Sequence, residues 1–461
     1  MNNSEYLAFL EQKAPTVIAS GIPTHMDDCN PALFDFQRDC VAFALTQGRS
    51  GCFLDTGLGK TLCELEFSTR ALPHAGGKAL ILTPLAVARQ IEREAVKFGY
   101  DARVIREQSE VRDGINICNY DRLDKIDPDE FGVVVLDESS ILKSYSGKTS
   151  RLLIDRLAEH RFKMAATATP APNDHMELGQ HAEFVGAMST QEMLSRFFIN
   201  DTSTASQEWR LKGHAESAFW DWMASWSRMA QTPSDLGYDG SRFNLPPLNI
   251  VKHKAIGSKI KPAEGDLFAM DVSATSMFDV KRQTTTARAD KIGELIGSSR
   301  EQWLVWCDTN DESAALVARI DGAVEVRGND STEDKEERLL AFAAGKIKVL
   351  VTKPSIAGQG MNYQNCSNMA FVGRSFSYEA WYQAVRRCWR FGQTRSVNAH
   401  VIVAEGEDQI GRVIDRKGSD HMRMKIAMAA AMQRAMGKSA AVKTPYQPKH
   451  KGRAPSWLSA A

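Results

Sequence analysis

The stretch YQAVRRCWRFGQTR, residues 382–395, crowds Gln383, Arg386, Arg387, Arg390 and Arg395 together and stops the run at Gly392. On a helix, residues three and four apart lie over one another, so Gln383, Arg387 and Arg390 share one face. Gly392 then serves as a C-terminal breaker. A row of like charges repels itself unless it is solvated or faces an anion. A solvated basic face is the bland reading, and it holds unless the rest of the chain supplies that anion.

LDTGLGKT (54–61) supplies it. A strand, a glycine-rich turn and Lys-Thr opening a helix form a phosphate cradle. Gly57 and Gly59 let the backbone N–H groups of Thr56, Leu58 and their neighbours turn toward an anion at the positive end of the helix. Lys60 would reach the β- and γ-phosphates, and Thr61 would hold Mg2+. The strict pattern has a further glycine where Leu54 stands. VVVLDESS (133–140) is the complement, a hydrophobic strand that delivers two carboxylates at its end. Asp137 would ligand the metal through water, and Glu138 would polarise an attacking water. A chance Gly-Lys-Thr turn or a capping Asp-Glu-Ser turn accounts for either stretch alone. The pair points to a nucleoside triphosphatase using Mg2+.

The elements needed to hold these groups are legible. GCFL (51–54), KALILT (78–83), RVI (103–105), NIC (116–118), VVVLD (133–137) and FKMAAT (162–167) read as buried strands, with an amphipathic helix over 85–99 closed by Gly99. The pattern returns in QWLVWC (302–307), VEVRG (324–328), KVLVT (348–352), MAFVG (369–373) and AHVIVAEG (399–406). The fold class expected is α/β, with two parallel-sheet domains in tandem and helices on both faces. Between them, residues 176–285 are mainly helical in periodicity and carry Trp209, Trp220, Trp222 and Trp226, with 232–249 reading as loop. Stacking on unpaired bases is one use for such aromatics, but the helical spacing of Trp220, Met223 and Ser227 favours a small buried core. The organisation expected is an N-terminal extension (1–30), a first domain (31–175), the insertion (176–285), a second domain (286–417) and a C-terminal helix with a mobile basic tail (418–461). That tail carries Lys438, Lys443, Lys449, Lys451 and Arg453.

The totals set limits. With 57 basic and 57 acidic residues the formal net charge is zero, so any anion site is local. No apolar run reaches the roughly 20 residues of a membrane span, and the N-terminus lacks a basic secretory region. Eight cysteines with no C-x-x-C pair argue against zinc and for reduced, buried thiols in a cytoplasmic protein.

Over residues 30–415 the chain resembles a superfamily 2 helicase of the Swi/Snf-type branch, a group that includes chromatin remodellers and small phage members. FDFQRDCV (34–41) resembles the Q-motif, which implies Gln37 on the adenine. LTPLAVARQ (82–90) resembles motif Ia, DESSILKS (137–144) motif II, TATPAPN (167–173) motif III and KPSIAGQGMN (353–362) motif V. QAVRRCWRFGQ (383–393) matches motif VI. The resemblance implies two RecA-like domains and places Arg387 and Arg390 across the cleft on the γ-phosphate, as an arginine finger would be. Gly360 would join the ATP site. Thr167, Thr169 and Gln383 would couple hydrolysis to movement, with Gln383 near motif II or the attacking water. Arg89, Lys143, Lys353, Ser355 and Gln359 would contact nucleic acid, most simply through its backbone, with Thr169 beside them. Arg386 points off the shared face and is expected at the surface or on nucleic acid. Ser140, Ser144 and Ala168 depart from the family pattern without removing a residue needed for hydrolysis.

The activity implied is DNA-stimulated ATP hydrolysis driving translocation, with DNA the expected partner and duplex the expected track. A strand-separating DNA or RNA helicase is the alternative enzyme. An ATP-gated DNA-binding subunit of a larger assembly, with an unidentified protein partner, is the alternative of another class. No membrane partner is expected, and a monomer is.

Overall fold

In the computed structural model of the protein, the residues described are 17–84, 87–143, 147–171, 174–201, 208–255, 274–357, 361–372, 377–403 and 408–437. The apolar runs of the first half become β1 (Arg49–Leu54), β2 (Lys78–Thr83), β3 (Ala102–Val104), β4 (Gly114–Asn119), β5 (Val133–Asp137) and β6 (Phe162–Ala166). Every residue of β5 is buried, which is why it reads as a continuous apolar run rather than an alternating one: helices cover both faces of the sheet. Each buried Val or Leu there contributes roughly 1.5–3 kcal/mol relative to exposure.

The insertion brings β7 (Phe198–Asp201) and β8 (Glu208–Leu211), which pair antiparallel, and β9 (Ser227–Ala230). Where the sequence pattern reads helix through Met229, the chain leaves its helix at Ser227 and adds β9 to the first sheet in parallel with β1, Gly51 opposite Ser227. Four residues are too few to show a period of two, so nothing local announces this strand. The first sheet runs β3-β4-β2-β5-β6-β1-β9, all parallel.

β10 (Leu248–Lys254), β11 (Trp303–Trp306), β12 (Ala323–Glu325), β13 (Val349–Thr352), β14 (Asn368–Phe371) and β15 (Val397–Val403) form a second parallel sheet, ordered β10-β15-β14-β11-β13-β12. β10 is also unannounced by the sequence. It is an edge strand, largely exposed, and so carries no buried-strand signature. The architecture is α/β, two parallel sheets each sandwiched by helices, here called lobe 1 and lobe 2.

Trp220, Trp222 and Trp226 lie in the lobe 1 core. Trp222 stacks on Phe197 at 5.4 Å, and Trp226 meets Phe53 of β1 edge-on at 6.0 Å. Their ring faces are used in packing, which leaves none of the three for unpaired bases. All eight cysteines are buried and free. Among the described residues no helix is long and apolar enough to cross a membrane.

The C-terminal helix, Asp408–Gly437, starts ten residues before the boundary expected from sequence and returns from lobe 2 to lobe 1. Met424, Met428, Ala431 and Met432 are buried in the lobe 1 core, and Arg434 pairs with Asp221 at 2.8 Å on the insert helix Glu216–Trp226. The basic tail from Lys438 onward lies outside the described residues.

Candidate active site

β1 ends at Leu54, and the helix Lys60–Ala71 begins immediately after the glycine turn. Gly57 and Gly59 have φ of 93° and 79°, the left-handed region that a side chain disfavours. Space also demands glycine: a Cβ on Gly59 would stand 2.2 Å from Gln37 Nε2, and one on Gly57 would stand 3.0 Å from the backbone nitrogen of Phe391. The second contact shows lobe 2 seated on the loop. Lys60 Nζ donates to the Leu54 carbonyl at 3.0 Å. Gln37 braces the loop from behind, donating to the Leu58 carbonyl at 2.8 Å and accepting from Phe34 N–H at 2.9 Å.

β5 brings Asp137 and Glu138 to the same end of the sheet. Asp137 accepts from the Thr83 hydroxyl at 2.7 Å on neighbouring β2, and its carbonyl accepts from the Tyr120 hydroxyl at 2.7 Å. Glu138 has φ 52°, the one non-glycine residue with positive φ among the described residues. That conformation costs about 1–2 kcal/mol and turns the carboxylate off the strand axis. The Thr167 hydroxyl lies 3.4 Å from Glu138 Oε2 and accepts from Thr169 N–H at 3.2 Å, linking the end of β6 to this carboxylate. A third carboxyl, Glu64 on the helix behind the loop, is fully buried beside them. Burial and the Glu138 charge push Asp137 up to about 6, and burial with Asp137 pushes Glu64 well above the usual carboxylate range. This corner holds more negative charge than its own cations balance.

Lobe 2 presents the reverse. Its helix Tyr378–Val385 leads into Arg386, Arg387 and Arg390. Arg387 donates to the Gln383 and Met361 carbonyls at 3.1 and 3.2 Å, and Arg390 bonds the Asn362 side chain. Arg390 is driven down to about 9 by burial and by Arg387 and Arg386. Arg387 is lowered by burial, while Glu138 across the cleft pulls it back up. Arg386 corrects the sequence reading. It is 4% exposed, bonds the Thr56 carbonyl and lies 3.5 Å from Asp55. A turn after Val385 breaks the helical projection that had pointed it outward.

An electron-poor arginine cluster and an overfull carboxylate corner therefore face one another across a glycine loop carrying Lys60. A polyphosphate with a divalent cation relieves both. The hard oxygen donors Asp137 and Thr61 suit Mg2+, with phosphate oxygens and water completing its shell. Among the described residues no three His, Cys, Asp or Glu side chains are arranged to hold a metal by themselves.

Comparison with known proteins agrees in kind. The helicase conserved C-terminal domain family matches residues 287–392. The SWI/SNF-related matrix-associated actin-dependent regulator of chromatin subfamily A-like protein 1 of Bos taurus is 22% identical, over 84% of this chain and 44% of its own. Putative protein p41 of Acyrthosiphon pisum secondary endosymbiont phage 1 is 24% identical, over 87% of this chain and 98% of its own. The matched domain and the relatives are those of the Swi/Snf-type superfamily 2 helicases, the family that the motifs resemble. The chain spans less than half the length of these vertebrate relatives, 39% in the case of the human DNA annealing helicase and endonuclease ZRANB3 at 23% identity. The solved Sulfolobus solfataricus SWI2/SNF2 ATPase core in complex with dsDNA aligns over 91% of this chain and 96% of its own at 16% identity, with a TM-score of 0.40.

The remaining motif residues are placed as follows. Gln383 is buried, its amide 3.4 Å from Glu379, whose other oxygen pairs with Lys143 of lobe 1. Lys143 is thus a link between lobes in addition to being a candidate contact for nucleic acid. Arg89 pairs with Glu92 at 2.7 Å on the exposed face of the helix Ala88–Phe98. Lys353 is half-buried and Ser355 exposed, at the start of the short helix Pro354–Ala357. Gln359 and Gly360 lie outside the described residues. Sequence reasoning missed Asp55, Glu64, Tyr382 and Lys425. Glu64, one turn after Lys60 on the helix that the glycine loop opens, was the one with a local signal.

A pH dependence follows from the carboxylate corner. Asp137 sits at about 6 when folded against about 3.9 unfolded, so the folded chain binds the extra proton. Its contribution is intact below the unfolded value and is lost as pH rises through about 6. Asp137→Asn is therefore expected to stabilise the nucleotide-free chain at pH 8 by roughly 2–3 kcal/mol, with a smaller gain at pH 5. Thermal melts of both proteins at the two pH values measure this. An equal gain at both would mean that Asp137 ionises without penalty.

Proposed function

We propose that the chain is an ATP-dependent DNA motor in which nucleotide hydrolysis between the two lobes drives translocation, most simply along duplex. The observation that carries this is the opposed charge of Asp137, Glu138 and Glu64 against Arg387 and Arg390 across the Lys60 loop. In this reading Lys60 and the backbone of residues 56–59 hold the phosphates, and Gln37, already bonded to the loop, borders the adenine. Asp137 and Thr61 would hold Mg2+, which when bound screens the phosphate oxygens. Glu138 takes the proton of the attacking water. Arg387 and Arg390 meet the charge that develops on the γ-phosphoryl oxygens. Thr167 and Thr169 join the Glu138 corner to the rest of lobe 1, and Arg387 and Gln383 belong to lobe 2, so a change at the phosphate alters how the lobes meet.

DNA is the polymer named for the ZRANB3 relatives, and the Swi/Snf-type resemblance favours duplex. Arg89, Lys143, Lys353, Ser355 and Gln359 are the proposed contacts. Because such contacts are mainly to phosphates, affinity should fall steeply with salt.

The test is steady-state ATP hydrolysis with no polymer, single-stranded DNA, duplex DNA and RNA. Stimulation of about tenfold or more by duplex, with little by RNA, is the expected result. Stimulation by single strands or RNA alone would replace the translocase with a strand-separating helicase. Tight ATP-dependent DNA binding without stimulated turnover would replace it with an ATP-gated subunit.

A further inference from the structure

The C-terminal helix brings to the cleft a lysine that the chemistry above does not use. Lys425 is buried, with Nζ 3.4 Å from Asp55 Oδ2 and 3.0 Å from the Tyr382 hydroxyl oxygen. Asp55 opens the phosphate loop. Its Oδ1 accepts from the Thr56 N–H at 2.6 Å and from the Tyr382 hydroxyl, with Arg386 Nη2 3.5 Å away. Tyr382 and Arg386 belong to lobe 2, Asp55 to lobe 1, and Lys425 to the helix that returns between them. Burial alone would raise Asp55, but Arg386, Lys425 and the Tyr382 hydroxyl hold it far below the usual carboxylate range.

The two carboxylate oxygens have separate duties. With Lys425 on Oδ2, Oδ1 is kept facing the loop backbone and lobe 2. Arg386 is then left to bond the Thr56 carbonyl rather than to neutralise Asp55 by itself. Lys425 also donates to the oxygen of Tyr382, whose proton goes to Asp55, so one chain of bonds runs from the C-terminal helix through lobe 2 into the phosphate loop. The helix can act as a fixed reference because its methionines and the Arg434–Asp221 pair anchor it to lobe 1. Gly418 completes the fit, since a Cβ there would stand 3.1 Å from the Tyr378 ring.

We propose that Lys425 is a positioning residue for ATP hydrolysis. By pairing with Asp55 and Tyr382 it sets where the Tyr378–Val385 helix docks on the phosphate loop, and hence where Arg387 and Arg390 stand at the reacting phosphate. This rests on the ATPase reading above and adds to it a role for the C-terminal helix. Misplacing a catalytic arginine weakens transition-state contacts more than ground-state binding.

The experiment compares the wild-type 461-residue chain with Lys425→Met, Lys425→Arg, Tyr382→Phe, Asp55→Asn and the double variant K425M/D55N. It measures kcat and KM for ATP with duplex DNA, binding of a fluorescent ATP analogue, and thermal midpoint. Lys425→Met is expected to lower kcat about tenfold with KM within about twofold, and Lys425→Arg to recover most of the loss. The double variant should be no slower than its slower parent, because both changes break one chain of bonds. Unchanged kcat in Lys425→Met, or additive losses in the double variant, overturns the proposal. If Lys425→Met fails to fold, Tyr382→Phe decides, and a kcat equal to wild type overturns it. A wild type that hydrolyses nothing under any condition defeats the ATPase reading instead, which the analogue-binding and midpoint measurements tell apart from a folding fault.

Discussion

Glu138→Gln is expected to lower kcat for ATP hydrolysis by about 10²–10⁴ while ATP and DNA binding persist, because it removes a proton acceptor and little else. Glutamine keeps the length of the side chain and can still accept from the Thr167 hydroxyl, which lies 3.4 Å from Glu138 Oε2. It also takes one negative charge from the corner that holds Asp137 and Glu64. Nucleotide affinity should therefore hold or change by a few-fold only. The measurement is single-turnover hydrolysis beside equilibrium binding of a fluorescent ATP analogue. A Glu138→Gln protein that turns over within threefold of wild type would show that the strained carboxylate is not the base.

The second large effect is expected on the opposite wall. Arg387→Ala and Arg390→Ala should each lower kcat by about 10³ or more, the range of an arginine finger. Both side chains belong to lobe 2, whereas the phosphate loop and Lys60 belong to lobe 1, so nucleotide binding to the open cleft should suffer much less. Lysine should rescue neither fully. Arg387 spends its planar donors on the Gln383 and Met361 carbonyls, and Arg390 bonds Asn362, geometry that a single ammonium cannot reproduce. Equal losses in KM and kcat would instead mean that these arginines bind ground-state nucleotide.

The two effects belong together physically. Arg390 is held down to about 9 and Asp137 up to about 6, each by burial together with like-charged neighbours. Neither wall is at its most stable without what goes between them. The Asp137→Asn melts and the Glu138 and arginine kinetics therefore probe one arrangement from three sides.

The sequence by itself determined the parts whose signal is local. Continuous apolar runs of five or six residues make strands wherever both faces are covered, and β2 and β5 fall on the residues read for them. Glycines at 57 and 59 reveal a loop that must turn where no side chain fits, and Asp137 and Glu138 follow directly from the end of β5. The order of the motifs was equally plain, since each is a short stretch that needs no partner to be read.

Tertiary structure alone decided what depends on which surfaces face each other. Arg386 projects outward on an ideal helix, yet the turn after Val385 and the closed cleft carry it onto Thr56. β9 exists because β1 offers an edge, and four residues can take that place without any pattern of their own. The tryptophans became core because Phe53 and Phe197 are brought to them by other elements. Lys425 and Asp55 lie at opposite ends of the sequence, and neither periodicity nor composition links them. They meet only because apolar burial of Met424, Met428 and Met432 draws the C-terminal helix back onto lobe 1. Hydrophobic burial, which has no direction of its own, thereby fixes the orientation of a charge that does.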